Sequence, residues 1–127
     1  MILADGNLII AKVWTPHEEN RRAEQFFDEH KKVATCAITE LNVVRFLMQK
    51  GHTGKEADLF LKNFISRHRE RFLDCDISAT GVAGQCDGHR QTTDTYLAML
   101  AKKHRTKVAT FDKPFKNRFP DLVELVE

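Results

Sequence analysis

Short apolar runs alternate along the chain with longer stretches whose apolar residues recur at helical spacing, and this alternation limits the fold more than any other feature. Met1–Ala4, Val33–Cys36, Phe72–Asp76, Lys107–Phe111 and Leu122–Val126 read as strands. Pro16–His30, Ala37–Lys50, Lys55–Arg69 and Asp94–His104 read as helices, and Leu8–Val13 as the first turns of another. In Lys55–Arg69 the stripe Ala57, Phe60, Leu61, Phe64 and Ile65 falls at i, i+3, i+4, i+7 and i+8, the mark of one buried helix face. Strands separated by helices pair as parallel neighbours through crossovers, and such a sheet needs cover on both faces. The expected class is α/β: a three-layer α/β/α arrangement with a central parallel sheet of four to five strands flanked by helices.

Local signals refine these boundaries. Thr15 before Pro16, with Glu18 three residues on, has the form of a capping box opening the Pro16–His30 helix. Gly51 ends the second helix, and Thr92 or Thr93 caps the Asp94–His104 helix, whose final Lys102, Lys103 and His104 suit the helix dipole. Ser78–Gly88 contains Gly81, Gly84 and Gly88 without any period and reads as a loop holding at most a short helical turn. Pro114 interrupts the chain after the fourth strand.

At 127 residues, the chain suits one domain over residues 1–127. A hydrophobic fraction of 42% beside 30% charged residues describes a globular protein, and no apolar run approaches a membrane span, so no membrane partner is expected. Asp5 and Asn7 sit within the first ten residues, and no cationic leader precedes them. That start suits a strand better than a signal peptide. Cys36, Cys75 and Cys86 make neither an even disulfide framework nor a CxxC pair, which fits a reducing cytoplasm.

Four acids stand apart by position. Asp5 closes the first apolar run and Asp112 closes the fourth, while Glu40 and Asp94 fall in the first turns of helices. In an open parallel sheet the functional crevice lies beyond the carboxyl ends of the strands, so all four can converge. A helix N-terminus favours an ionised carboxylate, which is expected to keep Asp94 charged at neutral pH. Clustered carboxylates repel one another, and a divalent cation relieves that cost. Hard oxygen donors without a Cys or His set favour Mg²⁺ or Mn²⁺ over zinc. The net charge of +2 says little, but Arg67, His68, Arg69 and Arg71 cluster, and His89, Arg90, Lys113, Lys116 and Arg118 flank Asp94 and Asp112. Cations around an acidic centre suit a phosphodiester substrate.

The segments ILADGNLIIA, VATCAITELNVVRFL and HRQTTDTYLAMLAKKHRTKVATFDKPF resemble the PIN-domain family, specifically the VapC-type ribonuclease toxins of bacterial toxin and antitoxin pairs. The resemblance spans essentially the whole chain. It implies a PIN-like fold and an endoribonuclease that uses Mg²⁺ or Mn²⁺, with Asp5, Glu40, Asp94 and Asp112 as the acidic quartet. Asp5, Asp94 and Asp112 are then the metal ligands, and Glu40 completes the site or orients the attacking water. Asn7 matches the polar residue two after the first aspartate, and Thr110 the hydroxyl residue two before the last. His89, Arg90 and Lys113 are candidate RNA contacts. The resemblance further implies an antitoxin partner and a homodimer.

Gly6 departs from the family, which usually has threonine, alanine or a similar residue there, and is expected to loosen that turn. The alternative reading is a catalytically silent PIN module that binds RNA or protein, which loss of one or more acids would signal. A phosphatase of the haloacid dehalogenase type is disfavoured because Asn7 stands where that family needs a second aspartate.

Overall fold

The computed structural model describes all of residues 1–127. Five strands, β1 (Leu3–Ala4), β2 (Val33–Cys36), β3 (Arg69–Leu73), β4 (Val108–Thr110) and β5 (Val123–Leu125), form one sheet in the order β3-β2-β1-β4-β5. Every pairing is parallel. Six helices connect them: α1 (Gly6–Val13), α2 (Asn20–Glu29), α3 (Ala37–Gln49), α4 (Gly54–His68), α5 (Thr92–Lys103) and α6 (Lys113–Arg118).

The two faces of the sheet follow from the period of two along each strand. Leu3 and Val108, partners in register, point into one core with Ala34, Cys36, Leu73, Leu97, Leu100 and Phe115, beneath α5 and α6. Ile2, Ala4, Val33 and Ala109 point into the other with Leu8, Phe27, Val43, Leu47 and Phe64, beneath α1 to α4. Phe26, Phe27 and Phe64 meet edge to face there, with successive centroids 5.1 and 5.3 Å apart. The expected α/β/α layers and parallel sheet are present, with five strands.

Several boundaries differ from the sequence reading. The second helix begins at Asn20, four residues after Pro16, and Thr15 caps nothing. The chain must reverse between α1 and α2, and Trp14–Glu19 makes that reversal: His17 N donates to Trp14 O (2.9 Å) and Glu19 N to His17 Nδ1 (3.0 Å). Asn20 Nδ2 donates to Ala11 O at 2.7 Å, so the second helix satisfies the end of the first. A capping box does form at Thr53 with Glu56, where Thr53 N donates to Glu56 Oε1 (2.7 Å) and Glu56 N to Thr53 Oγ1 (3.1 Å). β3 starts at Arg69, directly after α4, three residues before the expected Phe72. It is an edge strand whose Glu70, Arg71 and Phe72 are exposed, so no apolar run marks it. Thr92 opens α5 without capping it, because a 3₁₀ turn at His89–Gln91 runs straight into the helix. Pro114 occupies the first turn of α6 and starts a helix that the sequence reading lacked.

Candidate active site

Strand order turns at β1: the chain passes from β1 to β2 and β3 on one side, then returns to β4 and β5 on the other. The crevice beyond the ends of β1 and β4 is therefore the expected ligand site, and Asp5 and Asp112 are the residues that leave those two strands.

Asp5 is the N-cap of α1 and only 7% exposed. Its Oδ1 accepts from Gly6 N at 2.7 Å, and its Oδ2 accepts from Thr110 Oγ1 at 2.8 Å. The same Thr110 oxygen accepts from Asn7 Nδ2 and from Asp112 N, both at 3.1 Å. One proton given and two received exhaust a hydroxyl group, so Thr110 ties Asp5, Asn7 and Asp112 together from the floor of the crevice. Asp112 in turn caps α6, accepting from Phe115 N at 3.0 Å through Oδ1. Its other oxygen is left for the crevice.

Asp94 enters from the first turn of α5. Burial pushes its carboxyl up to about 7, and the charges of Asp5 and Asp112 add to that, against a smaller opposing pull from Arg118. Asp5 is raised too, chiefly by burial, with Asp112 contributing, although the bonds from Thr110 and Gly6 hold it back. The helix N-terminus thus does not keep Asp94 fully charged at neutral pH: desolvation and two neighbouring carboxylates outweigh the dipole. Asp5, Asp94 and Asp112 form one electrostatically coupled set. They feel one another's charge, yet no three or more His, Cys, Asp or Glu side chains stand close enough together to hold a metal ion as they are arranged here.

Glu40 stands one strand away, in the first turn of α3 beyond β2. Its Oε2 accepts from Thr35 Oγ1 (2.6 Å) and from Arg69 Nη1 (3.2 Å), so the fourth acid is ion-paired within the chain. Thr35 was missed by the sequence reading, and Arg69 was seen only as one of the clustered cations Arg67, His68, Arg69 and Arg71. A threonine as the third residue of a buried strand, five before the acid, was the available signal. Arg118 was seen only as a flanking cation. It donates to Thr95 Oγ1 at 2.9 Å and to Gln85 O at 3.3 Å, bracing the Ser78–Gly88 segment against α5 beside Asp94. His89 and Arg90 lie exposed in the 3₁₀ turn before α5, and Lys113 lies exposed next to Asp112. Their side chains make no ion pair.

Gly6 does not loosen its turn. It is the first residue of α1, and a Cβ there would lie 2.8 Å from Asn42 Cβ and 3.0 Å from Asn42 Nδ2 on α3. Asn42 occupies the space a larger residue would need, so α1 and α3 approach closely beside Asp5.

The larger concavities lie elsewhere. A cleft of about 420 Å³ at the opposite edge of the sheet is lined by residues including His30, Lys32, Arg105 and Lys107, and an apolar groove of about 600 Å³ on α3 by Leu41, Val44 and Met48 among others. Neither includes any of the four acids. By donor type the set suits a hard divalent cation: three carboxylates in mutual repulsion, two of them held above the usual range, with no Cys or His among them.

Residues 2–118 match the family model of the PIN domain. A protein of Mycobacterium tuberculosis named Ribonuclease VapC29 is 33% identical over 128 residues, covering 98% of this chain and 96% of its own. Ribonuclease VapC39 of the same species is 31% identical over 121 residues, covering 87% of each. Among solved structures, VapBC2 from Rickettsia felis bound to a promoter DNA fragment superposes with a TM-score of 0.68 at 15% identity over all of both chains. FitAcB from Neisseria gonorrhoeae does so with a TM-score of 0.62 at 23% identity over 97% of this chain and 96% of that one. Those two likenesses establish the fold. With the acidic crevice at the turn in strand order and relatives matched nearly end to end, the chain belongs to the PIN-domain family and, within it, to the VapC-type proteins.

Proposed function

We propose that the protein is a divalent-metal-dependent endoribonuclease and the toxin of a toxin–antitoxin pair. The observation that carries the reading is the coupled set Asp5, Asp94 and Asp112, with Asp94 raised to about 7 by burial and by the other two. Carboxylates held together at that cost suit a cation site. The curated relatives named ribonucleases, matched over nearly the whole chain, support the same activity.

Asp5, Asp94 and Asp112 would hold Mg²⁺ or Mn²⁺, which when bound aligns the phosphodiester, acidifies the attacking water and neutralises the leaving oxygen. Thr110 fixes the Asp5 carboxylate through Oδ2 and, by accepting from Asp112 N, the backbone from which Asp112 projects. Asn7 is held by the same hydroxyl, to which its amide nitrogen donates. Glu40, tethered through Oε2, keeps Oε1 free to take a proton from the attacking water. In-line attack by water leaves a 5′-phosphate and a 3′-hydroxyl, and no protein nucleophile is required. His89 and Arg90, exposed in the turn before α5, and Lys113, exposed next to Asp112, would meet RNA phosphates.

The partner is an antitoxin, which would cover the acidic crevice; the similar folds solved as VapBC2 and FitAcB support the partner. The working unit is a homodimer of one domain per chain, acting in the cytoplasm. Purified protein incubated with a pool of tRNA and rRNA tests the reading. Cleavage is expected with Mg²⁺, and is lost with EDTA or in Asp5→Asn and Asp94→Asn. Absence of cleavage by folded wild-type protein, together with no Mn²⁺ binding, points instead to a silent module that binds RNA or protein.

A further inference from the structure

We infer that Arg69 is a positioning residue for Glu40: the ion pair holds Glu40 for turnover and, by cancelling its charge, weakens the site's hold on its divalent cation. This rests on the metal-dependent nuclease reading. Both tethers of Glu40 converge on one oxygen, the Thr35 hydroxyl at 2.6 Å and the Arg69 guanidinium at 3.2 Å. Oε1 has no hydrogen-bond partner, so the pair fixes the carboxylate without consuming it.

The contact is not an ordinary surface bridge. It joins residues 29 apart in sequence, and the two side chains are only 30% and 17% exposed, which limits screening. Arg69 is held at both ends. Its backbone closes α4 and opens β3 in register with Val33, and its guanidinium lies 5.4 Å from the centre of the Phe72 ring. A side chain so fixed restricts its partner. Few charges act within the crevice itself: Glu40 is paired with Arg69, and Asp94 feels Asp5 and Asp112 against one opposing arginine, Arg118.

Removing Arg69 therefore has two effects of opposite sense. The site becomes more negative and binds its cation more tightly, while Glu40 loses a tether and turnover slows. A residue needed only for folding would weaken both. Mn²⁺ affinity, read by electron paramagnetic resonance on metal-stripped protein, and single-turnover RNA cleavage at saturating Mn²⁺ are measured for wild type, Arg69→Gln, Arg69→Lys and Glu40→Gln, and for Arg69→Gln combined with Glu40→Gln. Arg69→Gln is expected to bind Mn²⁺ roughly three- to tenfold more tightly and to cleave about tenfold more slowly or worse. Arg69→Lys keeps wild-type Mn²⁺ affinity, and in the Glu40→Gln background Arg69→Gln slows cleavage no further. Unchanged or weaker Mn²⁺ binding in Arg69→Gln, an unchanged rate, or an equal slowing without Glu40 overturns the inference. Wild-type protein that neither binds Mn²⁺ nor cleaves RNA overturns the nuclease reading beneath it.

Discussion

Replacing Asp94 with asparagine should stabilise the metal-free protein at alkaline pH while abolishing its proposed activity. The Asp94 carboxyl is raised from 3.8 to about 7 by burial and by Asp5 and Asp112. A folded-state value above the unfolded one means that stability is fully present below about pH 3.8 and is lost as pH rises through about 7. A shift of about three units at about 1.36 kcal/mol each sets a ceiling of ~4 kcal/mol. Asp94 is partly open to solvent, which screens the effect, so about half survives, ~2 kcal/mol. For a domain of this size that corresponds to a rise in Tm of about 6 °C for Asp94→Asn at pH 8. The assay is thermal unfolding of both proteins in EDTA at low salt from pH 4 to 8.5. The gap should be widest at pH 8 and close toward pH 4. A variant that melts at or below wild type at pH 8, or a gap that ignores pH, refutes the claim that the carboxylates are forced together. Mg²⁺ at pH 8 should raise the wild-type Tm and leave that of the variant nearly unmoved.

Thr110→Val removes the proton donated to Asp5 and the acceptor for Asn7 and Asp112, so unfolding in denaturant should show a loss of ~1–3 kcal/mol. It also releases Asp5 from a bond that lowers its carboxyl, so the acid limb of the cleavage profile should move to higher pH. Gly6→Ala should cost ~1–3 kcal/mol through the contact with Asn42, and Asn42→Gly should remove most of that penalty, a coupling that denaturant melts of the four proteins reveal. Thr53→Ala should destabilise α4 by ~1 kcal/mol through loss of the cap, with RNA cleavage unchanged.

The sheet was legible because its central strands are short, largely apolar runs: Val33–Cys36 and Val108–Thr110 are buried at every residue. β3 was displaced because an edge strand can show arginines and glutamate to solvent, which erases the apolar signal. The Thr15 capping box failed for a different reason. A three-residue pattern cannot report that the chain must turn between α1 and α2, and Asn20 Nδ2 at Ala11 O shows where that turn ends. At the site, the position of Asp5 and Asp112 at strand ends was readable, and so was their neighbour Thr110. The ion pair of Glu40 with Arg69 was not, since it depends on the registry of β2 against β3, which includes an irregularity at Val33 and Ala34. Nor was the state of Asp94. The helix dipole is a local property visible in sequence, whereas burial beside two other aspartates appears only once the strands are ordered.

The most direct test of the central claim is the chemistry of the RNA ends. A defined single-stranded RNA is cleaved by wild-type protein in Mg²⁺, and the fragments are analysed by mass spectrometry beside EDTA and Asp94→Asn controls. Attack by water at the three-aspartate site predicts 5′-phosphate and 3′-hydroxyl ends that vanish in both controls. Fragments carrying 2′,3′-cyclic phosphates, or cutting that persists in EDTA or in Asp94→Asn, would contradict it.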